Sequence, residues 1–433
     1  MGYYFSIISL ILGLICWRKS QRFLNPGTVF CFLWTMILFL SSLSLYELNS
    51  CSDITYVRIM YGVVSFTIGF LLDYTFLKTK TIKVVSRKTN NLASNYEYEP
   101  RYKFLYIILV YMIIEGILRA GNSFTSLING GDLQSLRMMA GEINQERRGT
   151  WGNVIDNLIT APIEIVIYPI CAYNLLNGKQ SCFSFMTLIV LILGIIRSGG
   201  RANLIYFIIC ICVVYFFSKK KNKMDPKAIK NKVRQSRKFR IVVFILLFAF
   251  IIISMSRSGQ KLIKDMYLYF AMEPTMFEQW NERIDLKGLY GYGEASLNGF
   301  TFHILYIIKN FLGIDYPSHW YDIYNIILKI DSDWVSITNN GLPANAYVSI
   351  FWYFYLDARE IGIILFSMIY GIFCSKYFRK VQHDFSMKNI CIYSLVMFGV
   401  FDSYVRMRFA IANYAAGFII LNYFIFKKRE RIS

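Results

Sequence analysis

Residues 184–217 read "SFMTLIVLILGIIRSGGRANLIYFIICICVVYFF", two apolar runs separated by a short polar turn. A backbone in hydrocarbon has to satisfy its own hydrogen bonds, so apolar runs of this kind are typical of membrane-spanning helices. Several other runs in the chain reach or approach the about 20 residues that cross about 30 Å of hydrocarbon. Together they predict an all-α polytopic membrane protein, with residues 1–433 forming a single integral membrane domain.

The positive charge of the chain is concentrated in short segments next to the apolar runs. The 433 residues are 55% hydrophobic and carry a formal net charge of +20. Lys and Arg crowd into residues 78–103 and 218–240 and into the C-terminal "KKRERIS". An excess of Lys and Arg in short loops marks the cytoplasmic side of a membrane. We therefore interpret the charge as a topology signal, and no nucleic-acid partner is expected.

About 11 transmembrane helices alternate across the membrane if every inner loop carries Lys or Arg. This alternation predicts an N-terminus outside, a basic cytoplasmic loop at 218–240 and a cytoplasmic C-terminus. It also predicts two large outer loops, residues 121–153 and 257–344. Two apolar segments are short for spanning, 300–313 within the second outer loop and 346–356 just after it. Both are therefore expected to be interfacial or re-entrant, and the number of transmembrane helices rises to 13 if both span. The expected spans are 3–17, 27–46, 56–77, 104–120, 154–176, 182–196, 202–217, 241–256, 361–378, 389–405 and 409–426.

Cysteine and histidine do not cluster in the sequence. Of nine cysteines only Cys51 falls in an expected outer loop, and no Cys-x-x-Cys motif occurs. The three histidines are widely separated, at His303, His319 and His383. The sequence therefore predicts neither a disulfide framework nor a metal site, and it indicates no cofactor.

Arg197 and Arg201 flank the Ser-Gly-Gly turn at the expected outer end of a helical hairpin. The preceding span has about 15 apolar residues, or about 22 Å of helix, so both arginines could snorkel to the membrane interface. Alternatively they line a water-filled cavity, because charge inside a membrane usually faces such a cavity and marks function. A guanidinium fork suits phosphate. The two glycines let a ligand approach the backbone, although they suit a tight hairpin equally well.

The two outer loops supply further charged side chains. The loop 121–153 contains Arg137, Arg147 and Arg148, against the positive-inside trend, and the alternative is a solvated loop balanced by acidic neighbours. The loop 257–344 combines many aromatic residues with carboxylates. Aromatic faces can stack on sugar rings while carboxylates accept hydrogen bonds from hydroxyls, whereas interfacial or core aromatics are the structural alternative. The carboxylates are Glu273, Glu278, Glu282, Asp285 and Glu294.

Two motifs in the chain resemble those of the O-antigen and capsule repeat-unit polymerases (Wzy type). Many members carry a "GSRG"-like turn between two central spans, and "RSGGRANLI" matches it with Arg201 as the arginine. Members also carry a pattern like N-x-Y…D-F-G-x-x-G…G after the large outer loop. Residues 345–371, "NAYVSIFWYFYLDAREIGIILFSMIYG", depart from this pattern because Ala358 and Arg359 stand where Phe and Gly are usual. The matching positions are Asn345, Tyr347, Asp357, Gly362 and Gly371.

The resemblance implies a glycosyltransferase of the bacterial inner membrane. Such an enzyme transfers a growing glycan from undecaprenyl diphosphate to the non-reducing sugar of a new lipid-linked repeat unit, at the outer face. The implied partners are this lipid-linked oligosaccharide, the bilayer, and a chain-length regulator and flippase of the same pathway. The leaving diphosphate gains negative charge, which preorganised arginines in a poorly solvated cavity can stabilise without a metal ion.

The resemblance also suggests roles for individual side chains. The arginines expected to stabilise or bind the diphosphate are Arg201, Arg197, Arg137, Arg147 and Arg148. The candidates for a general base or an oriented acceptor are Glu278, Glu282 and His303. Arg283 is expected to hold the phosphate of the second lipid, unless it pairs locally with Glu278 or Glu282. Asp357 is a candidate substrate-binding residue, and the alternative is that it anchors a turn or pairs with Arg359.

Two other classes of function remain open from the sequence. A flippase or exporter of lipid-linked oligosaccharides also has many spans, but transporters usually have inverted repeats, and the long outer loop 257–344 has no counterpart elsewhere in the chain. An O-antigen ligase shares the same arrangement of outer loops. The Asn345–Gly371 region favours a polymerase over a ligase.

Overall fold

The computed structural model describes residues 1–85, 96–128, 150–198, 201–217, 226–258 and 262–430. The chain folds into two compact units, each assembled from three separate segments. The segments of the first unit are Met1–Ala93, Ile263–Lys380 and Gly399–Ala416. Those of the second unit are Ser94–Leu262, Val381–Phe398 and Gly417–Ser433.

The first unit consists mainly of helices, joined by short turns and one small hairpin. Its helices are α1 (Gly2–Ser20), α2 (Pro26–Leu43), α3 (Asp53–Val85), α10 (Leu262–Ala271), α11 (Glu273–Lys287), α12 (Asn298–Leu312), α13 (Ser318–Ser332) and most of α14 (Ser349–His383). The hairpin pairs β2 (Val335–Ser336) with β3 (Pro343–Ala344).

The second unit is also mostly helical. Its helices are α4 (Tyr102–Ile128), α5 (Thr150–Ile155), α6 (Ala161–Asn177), α7 (Ser181–Ser198), α8 (Ala202–Phe217), α9 (Pro226–Ser258) and α15 (Met387–Phe401), while α16 (Ala412–Tyr423) crosses the boundary between the units. A π-helical turn, Asp156–Thr160, connects α5 to α6.

Four of the described helices are long and apolar enough to cross a membrane. They are Pro26–Leu43, Asp53–Thr75, Gly152–Asn177 and Ser349–His383. The expectation of an all-α membrane protein is met at this level, and the count of about 11 spans is not confirmed. Most of the short segment 346–356 forms the first part of α14, and non-helical backbone at Ala358 and Arg359 separates it from the expected span 361–378.

Helices α3 and α14 cross at a backbone distance that only glycine permits. A Cβ added at Gly69 would collide with the carbonyl of Met368, and one added at Gly371 would collide with the carbonyl of Phe66. Small residues allow such close crossings between membrane helices, where packing replaces the hydrophobic effect as the driving force. Further along the same pair, Arg379 makes a bidentate ion pair with Asp73 at 2.7 and 2.8 Å.

Aromatic packing around Tyr206 forms the core of the second unit. The ring of Tyr206 stacks on Phe398 at 4.2 Å and meets Tyr168 edge-on at 5.8 Å. Its hydroxyl donates to the carbonyl of Ile165 at 2.9 Å, so the buried polar tip of the side chain is satisfied. These contacts join α6, α8 and α15.

A two-stranded antiparallel sheet in the second unit joins residues that are distant in sequence. Strand β1 (Tyr96–Pro100) pairs with β4 (Phe426–Glu430) in a register that places Glu97 opposite Arg429 and Glu99 opposite Lys427. Opposite charges across strands contribute modestly to pairing. The sequence-based expectation of an all-α chain did not include this sheet.

Candidate functional site

Arg201 lies immediately before α8 and is held by α9. Its carbonyl accepts the first hydrogen bond of α8, from the Ile205 N–H at 3.0 Å. Its guanidinium donates to the buried Ser254 hydroxyl at 2.7 Å and lies 5.5 Å from the ring centroid of Phe250. The side chain is half-buried. A cation and the positive end of a helix dipole therefore meet at one point, where both favour an anion.

Glu164, a residue of α6 outside the candidate set from the sequence, contacts the start of α8. Glu164 Oε1 accepts hydrogen bonds from the Asn203 amide at 2.7 Å and from the Tyr168 hydroxyl at 2.8 Å. A Cβ on Gly194 would contact Glu164 and Asn203, so α6, α7 and α8 converge here. A carboxylate in an apolar helix is costly and usually has a function. Its sequence signal is the single charge in "APIEIVIYP".

Arg119 in the second unit is neutralised by two acidic side chains. It pairs with Glu115 one helical turn earlier and with Asp156 at 3.0 Å. Asp156 also accepts a hydrogen bond from the Thr160 hydroxyl at 2.7 Å, across the π-helical turn. This ion-pair network fixes the turn between α5 and α6.

The other arginines expected at the diphosphate lie in the segment before α5 and at the end of α7. Arg137, Arg147 and Arg148 lie outside the described residues. The backbone of Arg197 belongs to the end of α7, and its side chain is likewise outside the description. Arg201 is thus the member of this expected set whose surroundings the structure gives.

In the first unit, Glu278 stabilises the start of α3. Its Oε1 accepts hydrogen bonds from the Ser52 N–H and the Thr55 hydroxyl, both at 3.0 Å. A carboxylate at the N-terminus of a helix satisfies donors that have no partner within the helix. The contact gives Glu278 a capping role, and its role as a general base stays a prediction.

The other residues expected in the first unit have separate local partners. His303 Nδ1 lies 3.0 Å from the Gly299 carbonyl, one turn earlier in α12. Arg283 lies 3.5 Å from Asp333 and 4.6 Å from the centroid of Trp280, not beside Glu278 or Glu282. Glu282 is exposed on α11.

Asp357 anchors a turn. Its side chain is 0% exposed, and its carboxylate accepts hydrogen bonds from the Ala295 N–H at 2.9 Å, the Ser296 N–H at 3.0 Å and the Ser296 hydroxyl at 2.5 Å. A Cβ on Gly291 would collide with the same carboxylate, which explains the glycine there. These contacts match the anchoring alternative left open by the sequence.

The residues after Asp357 break α14. Ala358 has φ −159° and ψ 35°, and Arg359 has φ 53° and ψ −142°, a conformation that glycine adopts easily and other residues adopt at a cost of about 1–3 kcal/mol. The Arg359 guanidinium lies 4.2 Å from the Tyr290 ring, and its Nε lies 3.3 Å from Asp285. The Tyr355 hydroxyl donates to Asp285 at 2.9 Å, so the break holds a charged network.

A second strained segment leads into α14. Ala346, Tyr347 and Ser349 have positive φ values of 58°, 54° and 64°. Tyr347 lies between the rings of Tyr269 and Tyr404, at centroid distances of 5.7 and 5.8 Å. Positive φ at three non-glycine residues requires that neighbouring structure over-determine the backbone.

Part of that constraint comes from Asp331. Its carboxylate forms a bidentate ion pair with Arg406 at 2.6 and 2.9 Å. Its carbonyl accepts from the Asn345 amide at 2.6 Å. Asn345 and Tyr347, the first two positions of the second motif, thus belong to one tightly held segment.

Glu273 is a buried carboxyl group at the start of α11. It is fully buried, and burial raises its pKa well above the usual range for glutamate, since desolvation penalises the charged form. Neither oxygen makes a hydrogen bond of good geometry. The nearest polar influence on the group is the Ser349 hydroxyl. Burial therefore favours the protonated form of Glu273 in the folded state.

Within the described ranges no group of three or more His, Cys, Asp or Glu side chains is arranged to hold a metal ion. A scan against protein-family models finds no matching family, and searches of curated proteins and of solved structures find no match either.

Proposed function

We propose that this protein polymerises lipid-diphosphate-linked oligosaccharide repeat units at the outer face of a bacterial inner membrane. The substrate class, the reaction and the membrane follow from the resemblance of two motifs to the Wzy-type polymerases. An O-antigen ligase and a lipid-linked oligosaccharide flippase are the alternatives that the experiment below separates from it.

The observation that carries the proposal is the backbone of Arg359. The family pattern has glycine at this position, and the chain departs from the pattern with an arginine. The arginine nevertheless adopts φ 53° and ψ −142°, a conformation suited to glycine. Just before it, Asp357 anchors the neighbouring turn through Ala295 and Ser296. The departure therefore changes the side chain, while the backbone has a conformation suited to the glycine of the family pattern, which supports the resemblance.

The surroundings of Arg201 support the chemistry of the reaction. The bond between the anomeric carbon of the donor glycan and the diphosphate oxygen breaks, and that carbon bonds to a hydroxyl oxygen of the acceptor. The hydroxyl loses its proton to a general base, the role for which Glu278, Glu282 and His303 are the candidates. Negative charge develops on the leaving diphosphate. Arg201, held by Ser254 at the N-terminus of α8, stabilises that charge by hydrogen bonds and by its field. Glu164 positions the helix start through Asn203.

The test is complementation of a deletion strain, with the surface glycan run on a gel. Wild type should restore a ladder of polymer, and Arg201→Ala at matched membrane levels should give single repeat units, with polymer reduced about 100-fold because a preorganised donor to the developing charge is lost. Arg201→Lys should give an intermediate ladder, since it keeps the charge and loses the planar fork.

Lys19→Ala is the matched control, because Lys19 is an exposed basic residue at the end of α1. Its ladder should equal that of wild type. Loss of all surface glycan in the deletion strain would point to a flippase or a ligase and overturn the proposal. A full ladder from Arg201→Ala would remove Arg201 from the site and leave the turn at 197–201 a snorkelling hairpin.

A further inference from the structure

An exposed row of rings projects from the turn between α11 and α12 in the first unit. Tyr290 and Tyr292 are 40% and 79% exposed, and their rings are nearly parallel with centroids 6.0 Å apart. The ring of His319, from the start of α13, lies 5.7 Å beyond Tyr292. We call Tyr290, Tyr292 and His319 the ring row.

The backbone under the ring row is rigidly anchored. The Gly291 N–H donates to the Leu356 carbonyl at 2.8 Å, and the Tyr292 N–H donates to the Asp357 carbonyl at 3.1 Å. Tyr292 has φ 49°, a conformation that a tyrosine adopts only when its surroundings impose it. A large ring held outward by a strained backbone that is hydrogen-bonded to two buried residues is preorganised for contact with something outside the protein.

The inner end of the row rests on Arg359. Its guanidinium lies 4.2 Å from the Tyr290 centroid and 5.1 Å from that of Tyr355, so Tyr290 is held in place from one side by a cation–π contact. Arg359 is itself paired with Asp285, whose side chain is 45% exposed. The strained break in α14 therefore fixes the position of a ring and of an accessible carboxylate together.

Two carboxylates border the row. Asp285 pairs with Arg359 under Tyr290, and Glu294 lies 3.7 Å from His319. A membrane-facing aromatic patch would be bordered by apolar side chains, because charge is costly in hydrocarbon. Flat aromatic faces beside carboxylates at an aqueous surface match the two faces of a pyranose, whose C–H groups stack while its hydroxyls donate hydrogen bonds.

We propose that the ring row binds a segment of the glycan chain, with successive sugar rings stacked on Tyr290 and Tyr292 and their hydroxyls bonded to Asp285 and Glu294. The spacing between neighbouring rings is similar to the length of one sugar unit. The inference rests on the proposed function for the identity of the glycan, and it assigns a saccharide site that is separate in chemistry from the arginine that faces the diphosphate.

The experiment is a titration of the full-length protein in lipid nanodiscs. The probe is the host's own surface polysaccharide, released by mild acid and fractionated to a few repeat units so that it carries no lipid or diphosphate. Binding is followed by saturation-transfer NMR. Tyr290→Ala combined with Tyr292→Ala should weaken binding about tenfold, because two stacking contacts are lost. Tyr292→Phe should bind like wild type, since the ring remains.

Tyr423→Ala is the matched control, because Tyr423 is 76% exposed at the end of α16, outside the row. It should not change the affinity. Equal affinity of wild type and the double alanine variant, or no binding by wild type, would overturn the inference. Because the titration requires no turnover, its result is independent of the ladder assay. If glycan binding depends on the ring row and Arg201→Ala still gives a full ladder, the glycan site at the row is retained and the role of Arg201 is rejected.

Discussion

At the scale of single residues, Arg359 is an arginine in a backbone conformation that strongly favours glycine. Its positive φ and extended ψ belong to a region that is nearly reserved for glycine. The guanidinium contacts Tyr290, Tyr355 and Asp285, so the favourable contacts of the side chain offset the cost of the conformation. A local propensity argument cannot foresee this outcome, because the compensating partners come from elsewhere in the chain.

This balance predicts an inverted order of stability between two substitutions. Arg359→Ala loses the same contacts as Arg359→Gly but keeps a Cβ in the strained conformation. In an ordinary helix alanine is the more stable of the two by about 0.5–1 kcal/mol, whereas at position 359 glycine should be more stable by about 1–2 kcal/mol. Thermal unfolding of both variants in the same detergent measures the difference. A more stable alanine variant would contradict the conformation described for Arg359.

Glu273 gives a prediction that depends on pH. Its folded-state pKa is raised by burial, so above the usual glutamate pKa of about 4.3 the folded state holds a proton that the unfolded state has lost. Stability should therefore fall as pH rises through this window, up to the folded-state pKa. The glutamine of Glu273→Gln cannot ionise. The unfolding midpoint of this variant, relative to that of wild type, should therefore rise between pH 5 and pH 8. Parallel midpoints across that range would show that Glu273 is not buried as a neutral acid.

At the scale of elements, the crossing of α3 and α14 depends on two glycines. Their absent side chains allow each backbone to meet a carbonyl of the other helix. The sequence located both helices through their apolar runs, and its gap at 357–360 coincides with the break in α14. It could not locate the crossing point, since nothing in either run states which glycine faces the partner helix.

The crossing predicts that a single methyl group is poorly tolerated there. Gly69→Ala and Gly371→Ala should each lower the free energy of unfolding by about 1–3 kcal/mol, because rigid backbone has to move. The control is Gly152→Ala, where an added Cβ meets no atom of the described residues within 4 Å beyond its own helical turn. This variant should be neutral or stabilising by up to about 1 kcal/mol. Unfolding midpoints of the three variants give the comparison. A Gly69→Ala protein as stable as Gly152→Ala would rule out the close crossing.

At the scale of the whole molecule, the sequence predicted the class of fold better than the site. Apolar runs and basic segments are local signals, and they were sufficient for a helical membrane protein. The contacts of Glu164 with Asn203, of Asp357 with Ser296 and of Arg359 with Asp285 join distant parts of the chain, so composition and spacing could not reveal them. The pairing of β1 with β4 is a similar case, because Glu99 and Arg429 are 330 positions apart.

The predicted orientation can be tested with single cysteines in a variant whose nine native cysteines have been replaced. Asn340→Cys lies in the loop expected outside, and Lys179→Cys lies in a turn expected inside; both positions are exposed. A membrane-impermeant maleimide should label position 340 in intact cells, and position 179 only after permeabilisation. The reverse pattern would place the basic segments outside and refute the topology.

The sheet between β1 and β4 can form only after nearly the whole chain has been synthesised. Glu99 leaves the ribosome 330 residues before its partner Arg429. At about 5–20 residues per second that interval is on the order of 15 to 65 s. During it, an acidic strand has no β partner while α4 and the following helices are being made. The second unit can therefore reach its final form only late in translation. Slow or paused synthesis near codon 430 would lengthen the period in which strand Tyr96–Pro100 is open to proteases or to pairing with another chain.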